Sequence, residues 1–236
     1  MSMELSPRLM AITAWFTGED TMADIGTDHG YLPVALVEKK IISKAFACDI
    51  NEKPLEKARK IIKDNGLNKC IETRLGSGLS VLQPGEAEVI VMAGMGGLLI
   101  TELLDSEVLI AGAAKKLILQ PMNNQPVVRR YLETHGFKII HEDLAQESNR
   151  IYEIIVATPG TMMINDCLDY QLGYQAIQTK HPLLKAHINR KIYLEENICD
   201  STRGKTTLIA KKQFEESKAY ILRLNEVKKC LLSSVK

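Results

Sequence analysis

The stretch Thr21–Leu32 sets what this chain can fold into. It reads Thr-Met-Ala-Asp-Ile-Gly-Thr-Asp-His-Gly-Tyr-Leu. A short apolar run ends at Asp24, glycines follow at Gly26 and Gly30, and a helix-compatible apolar segment comes next. That order spells a strand, a tight turn and a helix start. Gly26 can take backbone angles that a Cβ forbids and lets a ligand approach the main chain. The helix beyond it offers unpaired N–H groups. Asp24 and Asp28 put carboxylates beside the turn. They would repel a pyrophosphate and suit a ligand carrying positive charge, such as a sulfonium or an ammonium group. The dinucleotide fingerprint Gly-x-Gly-x-x-Gly is absent, because its second glycine position is Asp28.

The pattern then repeats. A helix through about Lys39 leads to a second buried strand, Ala45-Phe-Ala-Cys-Asp49. Asp49 lies 25 residues beyond Asp24. A carboxylate there can hold the two ribose hydroxyls of a nucleotide cofactor, or it can cap the next helix, since Asn51 and Pro54 follow; the spacing favours ribose. That helix, Lys53–Asn65, stops at Gly66, a typical C-terminal glycine. Strands are expected at Cys70–Leu75, Val89–Met92 and Leu117–Leu119. Gly76-Ser77-Gly78-Leu79, Ala93-Gly94-Met95-Gly96-Gly97 and Gln120-Pro121-Met122-Asn123-Asn124 follow them in turn. Near-continuous apolar strands alternating with helices indicate a parallel sheet buried on both faces. Open sheets of this kind bind ligands at the carboxyl ends of their strands, where these turns lie.

After a helix at Val127–Thr134, two apolar runs, Phe137–Leu144 and Tyr152–Ala157, come with no helix between them. They are separated by the polar stretch Ala145–Arg150, and they predict a terminal hairpin that adds one antiparallel strand. At the other end, Ser6 and Pro7 open a helix, Ser as N-cap and Pro at the first helical position. Leu5, Leu9, Ile12, Trp15 and Phe16 give this helix an apolar face, and Arg8 sits on its first turn as a surface charge or a contact near the site.

Thr158-Pro159-Gly160 reads as a boundary, giving domains 1–158 and 159–236. Beyond it the periodicity is helical only, with helices expected at 162–178, from Pro182 to about Cys199, and at about Lys205–Leu232, with a turn at Asp200-Ser201-Thr202. The last helix carries Ala210, Phe214, Ser217, Ile221, Leu224, Lys228 and Leu231 at alternating four and three spacing, the pattern of a coiled-coil seam with two polar positions, and too few heptads are present to separate that from ordinary helical packing. Charge divides with the boundary. Residues 1–158 hold 17 Lys+Arg against 21 Asp+Glu, net −4, whereas residues 159–236 hold 13 against 8, net +5. A basic second region points to a polyanionic partner or to a solvated helix pair.

The five cysteines show no Cys-x-x-Cys spacing and are odd in number, which argues against zinc and against a disulfide framework. No secretory pattern opens the sequence and no apolar run reaches membrane-span length. A cytoplasmic protein without metal or membrane attachment is expected.

Asp-Ile-Gly-Thr-Asp-His-Gly-Tyr-Leu-Pro at 24–33, Ala-Gly-Met-Gly-Gly at 93–97, Leu-Gln-Pro at 119–121 and Tyr-Glu-Ile-Ile-Val at 152–156 resemble the bacterial TrmK family. These are S-adenosylmethionine-dependent methyltransferases that modify N1 of adenosine 22 in tRNA. The resemblance implies a class I methyltransferase sheet, mostly parallel with one antiparallel strand, and a C-terminal helical, coiled-coil-like domain. It implies that Asp24, Ile25, Gly26, Thr27, Tyr31, Asp49, Ile50, Gly76, Ser77, Gly78, Leu79, Ala93, Gly94, Met95 and Gly96 hold S-adenosylmethionine. Asp28, assisted by His29, is the candidate catalytic carboxylate. Arg8, Asn123 and Asn124 are candidate substrate contacts, and Asn123 and Asn124 read equally as helix caps. Lys185, Arg190, Lys191, Arg203, Lys205, Lys211 and Lys212 are candidate contacts to the tRNA backbone, in a monomer or weak dimer. The third turn departs from the family: Ser77 stands where an Asp is expected and is a weaker acceptor for the cofactor's adenine amino group.

Two other readings stay open on the sequence. A nicotinamide-dependent oxidoreductase accounts for Gly26 and Asp49 but not for Asp28. A catalytically silent tRNA-binding protein draws its support from Ser77.

Overall fold

The computed structural model describes residues 5–233. Seven strands form one sheet: β1 (Thr21–Ile25), β2 (Lys44–Asp49), β3 (Ile71–Leu75), β4 (Val89–Met95), β5 (Lys116–Pro121), β6 (Phe137–Glu147) and β7 (Arg150–Pro159). Their order is β3-β2-β1-β4-β5-β7-β6. The first five are parallel, and β7 runs antiparallel between β5 and β6. The direction in which the chain adds strands reverses between β1 and β4, the switch point at which such sheets bind ligands.

The apolar runs are continuous because both faces are covered. Met22, Ala45, Ala47, Val89, Val91 and Ile118 pack against α1 (Pro7–Thr13), α2 (Tyr31–Glu38) and α3 (Glu52–Asp64). Their strand neighbours Ala23, Ile25, Phe46, Cys48, Ile90, Met92, Leu117 and Leu119 pack against α4 (Gly97–Ser106), α5 (Val108–Ala113) and α6 (Gln125–Thr134). Successive strand residues point to opposite faces, so one run feeds both cores. Ser6 caps α1 by accepting the Leu9 N–H, with Pro7 at the helix start. Trp15, just beyond α1, stacks on His141 of β6 at 4.7 Å between ring centroids.

The hairpin is longer than its apolar runs. Pairing continues through Gln146↔Ile151 and Glu147↔Arg150, so the stretch 145–150 is mostly strand. The ladder closes through Ser148 and Asn149, with Ser148 in the left-handed region at φ 54°.

The chain forms two compact units, Met1–Gln171 and Leu172–Lys236. The boundary expected at 158/159 falls at the end of β7. The extra residues of the first unit are tied down by charge. Arg129 is 1% exposed and bonds Glu142 at 2.6 Å, Glu153 at 2.8 Å and the Tyr170 carbonyl at 2.9 Å, while the Tyr170 hydroxyl donates to Glu133. Burial works against the Arg129 charge, but the two carboxylates outweigh it and hold the group protonated.

The single helix expected at 162–178 is two short ones, α7 (Cys167–Leu172) and α8 (Tyr174–Gln178). Gly173, at φ 86°, lies between them and breaks the helical path. In the second unit α9 (Leu184–Thr202) runs through the residues expected to turn, and the turn falls at Arg203 and Gly204, with Gly204 at φ 76°. α10 (Leu208–Ser233) returns against α9. Ala210, Ser217 and Leu224 of the expected seam are its buried residues, and Leu184, Ile188, Ile192, Cys199 and Thr202 are among those of α9. The unit is a helical hairpin, in which Phe214, Ile221, Lys228 and Leu231 of the expected seam are half-buried.

Candidate active site

The turn after β1 is pinned to β2: the N–H groups of Gly26 and Thr27 both donate to the Cys48 carbonyl, at 2.8 and 2.9 Å. Gly26 has φ 75°, so this position needs glycine for its backbone. His29 at φ 63° and Gly30 at φ 70° follow, and α2 starts at Tyr31. A left-handed histidine is a strained residue held by its surroundings.

Asp24 sits at the register Asp24↔Ala47 and Asp24↔Val91, between β2 and β4, and is 7% exposed. Burial pushes its carboxyl up to about 6, against the pull of the Thr27 hydroxyl nearby and the Arg8 charge. The Thr27 hydroxyl is itself buried and has no hydrogen bond of ordinary geometry. A buried carboxyl and an unsatisfied buried hydroxyl side by side are what a polar or cationic ligand would complete.

A cavity of about 220 Å³ lies at the carboxyl ends of β1 to β4. Of the residues expected to bind a cofactor, it brings together Ile25, Gly26, Asp49, Ile50, Gly76, Ser77, Gly78 and Met95. Leu79 is fully buried, and Asp24, Thr27, Tyr31, Ala93, Gly94 and Gly96 are not among its lining residues. Asp49 accepts the Asn51 N–H on Oδ1 at 2.7 Å, so it caps the turn into α3 with one oxygen. Ile50 is 64% exposed at the rim, and Leu99 and Leu103 of α4 complete an apolar wall. The two leucines were not singled out in the sequence; their four-residue spacing, which puts both on one helix face, was the available signal.

A second cluster stands on the turn. His29 Nδ1 lies 3.0 Å from the Tyr31 hydroxyl. His29 Nε2 lies 3.0 Å from Lys57 Nζ and 3.2 Å from Asp28 Oδ1. The Asp28 side chain is 84% exposed. Lys57 comes from α3, and nothing in the local sequence marks it.

Arg8 is half-buried and donates to Gln120 Oε1 at 2.8 Å, the same oxygen that accepts the Gly94 N–H at 3.1 Å. Gln120, fully buried in β5, thereby ties α1 to the end of β4; the sequence pattern places it in the turn after its strand and gives it no contact of its own. Asn123 Oδ1 accepts the Gly97 N–H at 3.3 Å, so Asn123 caps α4 rather than the helix that follows it. Asn124, at φ 53°, occupies the N-cap position of α6 without a side-chain capping bond, its Nδ2 donating instead to Asn123 Oδ1 at 3.1 Å. Gly97 must be glycine, because a Cβ there would meet the Asn123 carbonyl oxygen at 2.6 Å.

In the second unit, Lys185, Arg190, Arg203, Lys205, Lys211 and Lys212 are exposed and Lys191 is half-buried. Arg203 pairs with Asp200 at 3.2 Å, Lys212 with Glu216 at 3.7 Å, and Arg190 lies over the Tyr193 ring. Among the described residues, no group of three or more His, Cys, Asp or Glu could hold a metal ion, and no helix is long and apolar enough to cross a membrane. Among the described residues, no disulfide joins any of the five cysteines.

The profile of a family described as "Methyltransferase domain" matches residues 5–155. The tRNA (adenine(22)-N(1))-methyltransferase of Bacillus subtilis is 36% identical over 158 residues, which are 67% of this chain and 66% of that protein. The match thus spans just under two thirds of that curated relative. Solved structures align over nearly the whole chain. A Streptococcus pneumoniae protein described as a tRNA methyltransferase, in complex with S-adenosyl-L-methionine, gives a TM-score of 0.85 at 29% identity, covering 95% of this chain and all of that one. TrmK of M. capricolum, in complex with S-adenosyl-homocysteine, gives 0.80 at 26% identity, covering 96% and 97%.

Proposed function

We propose that this chain, which belongs to the methyltransferase domain family, transfers a methyl group from S-adenosylmethionine to N1 of adenosine 22 in tRNA. One observation carries the reading: the switch-point cavity sets the Asp49 carboxylate and the apolar side chains of Ile50, Leu99 and Leu103 around the glycine turns, and Asp28 stands where a dinucleotide site has its second glycine. The names of its relatives point the same way.

The residues present fit the cofactor. Asp49 has an oxygen beyond the one that caps Asn51 and can accept from ribose hydroxyls. Ile50, Leu99 and Leu103 offer apolar surface to a purine, and Ser77 an acceptor to its amino group. Asp24 and the unsatisfied Thr27 hydroxyl suit the ammonium and carboxylate groups of the amino-acid end, Asp24 the ammonium. S-adenosylmethionine supplies an electrophilic methyl group on a sulfonium.

Neutral adenine has a lone pair on N1, so no proton need leave before attack. What the protein must supply is position and electrostatics. Asp28, exposed on the turn after β1, meets the positive charge that the purine acquires as the bond forms. N1 lies on the Watson–Crick edge, so the base must leave any stack or pair to be reached. The basic helices of the second unit hold the RNA backbone through phosphate contacts that position without reading sequence. We place this activity in the cytoplasm, with a monomer or weak dimer as the working form. Mass spectrometry of unmodified tRNA incubated with the protein and labelled S-adenosylmethionine tests the reading: a methyl group mapped to N1 of adenosine 22 is expected, and no methylated product would overturn it.

A further inference from the structure

The Lys57–His29–Tyr31 chain fixes which nitrogen of His29 carries a proton. An ammonium group has three donors and no acceptor. Lys57 Nζ lies 3.0 Å from His29 Nε2, so Nε2 must accept. The proton of the neutral ring then sits on Nδ1, 3.0 Å from the Tyr31 hydroxyl, which accepts it and keeps its own proton to donate onward. Asp28 Oδ1 stands 3.2 Å from the same Nε2. A carboxylate facing a ring lone pair is repelled unless a cation is close by, and Lys57 is that cation. Without it, the tautomer that carries its proton on Nε2 can donate to Asp28 Oδ1.

We propose that Lys57 is a positioning residue: it holds His29 in the tautomer with its proton on Nδ1, and so keeps Asp28 an uncommitted carboxylate on the turn after β1. The role in turnover rests on the function proposed above; the tautomer does not. Sequence distance hides the arrangement, since Lys57 is 28 residues from His29 and arrives on α3. The left-handed backbone of His29, φ 63°, turns its ring into this chain of contacts. Substituting Lys57 removes the donor to Nε2 and lets His29 neutralise the carboxylate meant for the substrate.

Nitrogen-15 NMR of histidine-labelled full-length protein at neutral pH reads the tautomer directly, with His29→Gln identifying the signal. Parent protein should show the His29 ring proton on Nδ1. Lys57→Met should move the His29 proton to Nε2, and Lys57→Arg, which also has only donors, should restore the parent pattern. Steady-state methylation should show turnover on the order of 10- to 100-fold lower in Lys57→Met, the scale of a misplaced reacting group, with little change in the KM for S-adenosylmethionine and recovery in Lys57→Arg. An Nε2-protonated His29 in the parent, or a His29 spectrum unchanged by Lys57→Met, would overturn the assignment. The predicted spectra with unchanged turnover in Lys57→Met would overturn its role in the reaction. A parent protein that methylates nothing would count against the proposed function, and the spectra would still decide the tautomer.

Discussion

Replacing Asp24 by asparagine probes the site from two sides. The carboxyl is 7% exposed, and burial raises it from an ordinary 3.8 to about 6. The folded protein therefore holds the Asp24 proton more tightly than the unfolded chain does. The stability this proton confers is fully present below 3.8 and is lost as pH rises through about 6. Each tenfold difference in proton affinity corresponds to ~1.4 kcal/mol, so the ionised carboxylate costs the unliganded protein on the order of 3 kcal/mol at neutral pH. Asp24→Asn keeps the shape and removes the charge. Urea denaturation without cofactor should find the variant more stable than the parent at about pH 7.5 by up to roughly 3 kcal/mol. The gap should shrink to about half near pH 5 and nearly vanish near pH 4. Calorimetry should show the opposite for the ligand, with S-adenosylmethionine affinity at about pH 7.5 reduced on the order of 10- to 100-fold by loss of a charge-assisted contact. Parent affinity should itself rise between about pH 5 and 7.5, because a cationic ligand favours the ionised carboxylate. A variant no more stable than the parent at neutral pH, with cofactor affinity intact, would refute both the burial argument and the placement of the cation.

Asp49→Ala should weaken S-adenosylmethionine binding by about 1.5–3 kcal/mol, or on the order of 10- to 100-fold; unchanged affinity by calorimetry in a folded variant would rule out ribose as its partner. Asp28→Asn should lower turnover by about 100-fold or more while cofactor affinity changes less, as for other removed electrostatic stabilisers; equal losses in both would mark Asp28 as a cofactor ligand instead. A chain ending at Gln171 should keep its thermal transition and its cofactor binding, yet lose most tRNA affinity and flatten the salt dependence of what remains, by about 0.7–0.9 in log–log slope per lost phosphate contact. Methylation of full-length tRNA at the parent rate by that truncated protein would refute the role given to the second unit.

Most of the scaffold could be read from the sequence because its causes are local. Buried strands, glycine turns and helix caps depend on residues within a few positions of one another, and these placed β1 to β5 and their turns in order. Asp24 and Asp49 were legible for the same reason, as carboxylates at the ends of apolar runs. The errors came where local signals compete. A polar stretch at 145–150 looked like a loop, yet ladder pairing of Gln146 and Glu147 carries the hairpin onward. Gly173 was absorbed into an apparently continuous helix, although its backbone breaks that helix in two.

What the tertiary structure alone decided are the partnerships between distant residues. Strand order brings Gln120 of β5 beside Gly94, and α1 brings Arg8 to the same oxygen. The unit boundary follows from a buried arginine on α6 that reaches the Tyr170 carbonyl, a bond no local pattern announces. Lys57 reads as one more solvated charge on an amphipathic helix until α3 is laid beside the turn at His29. Periodicity fixes which face of an element is buried, whereas the pairing of polar groups depends on sheet order and register, which arise only when the whole chain packs.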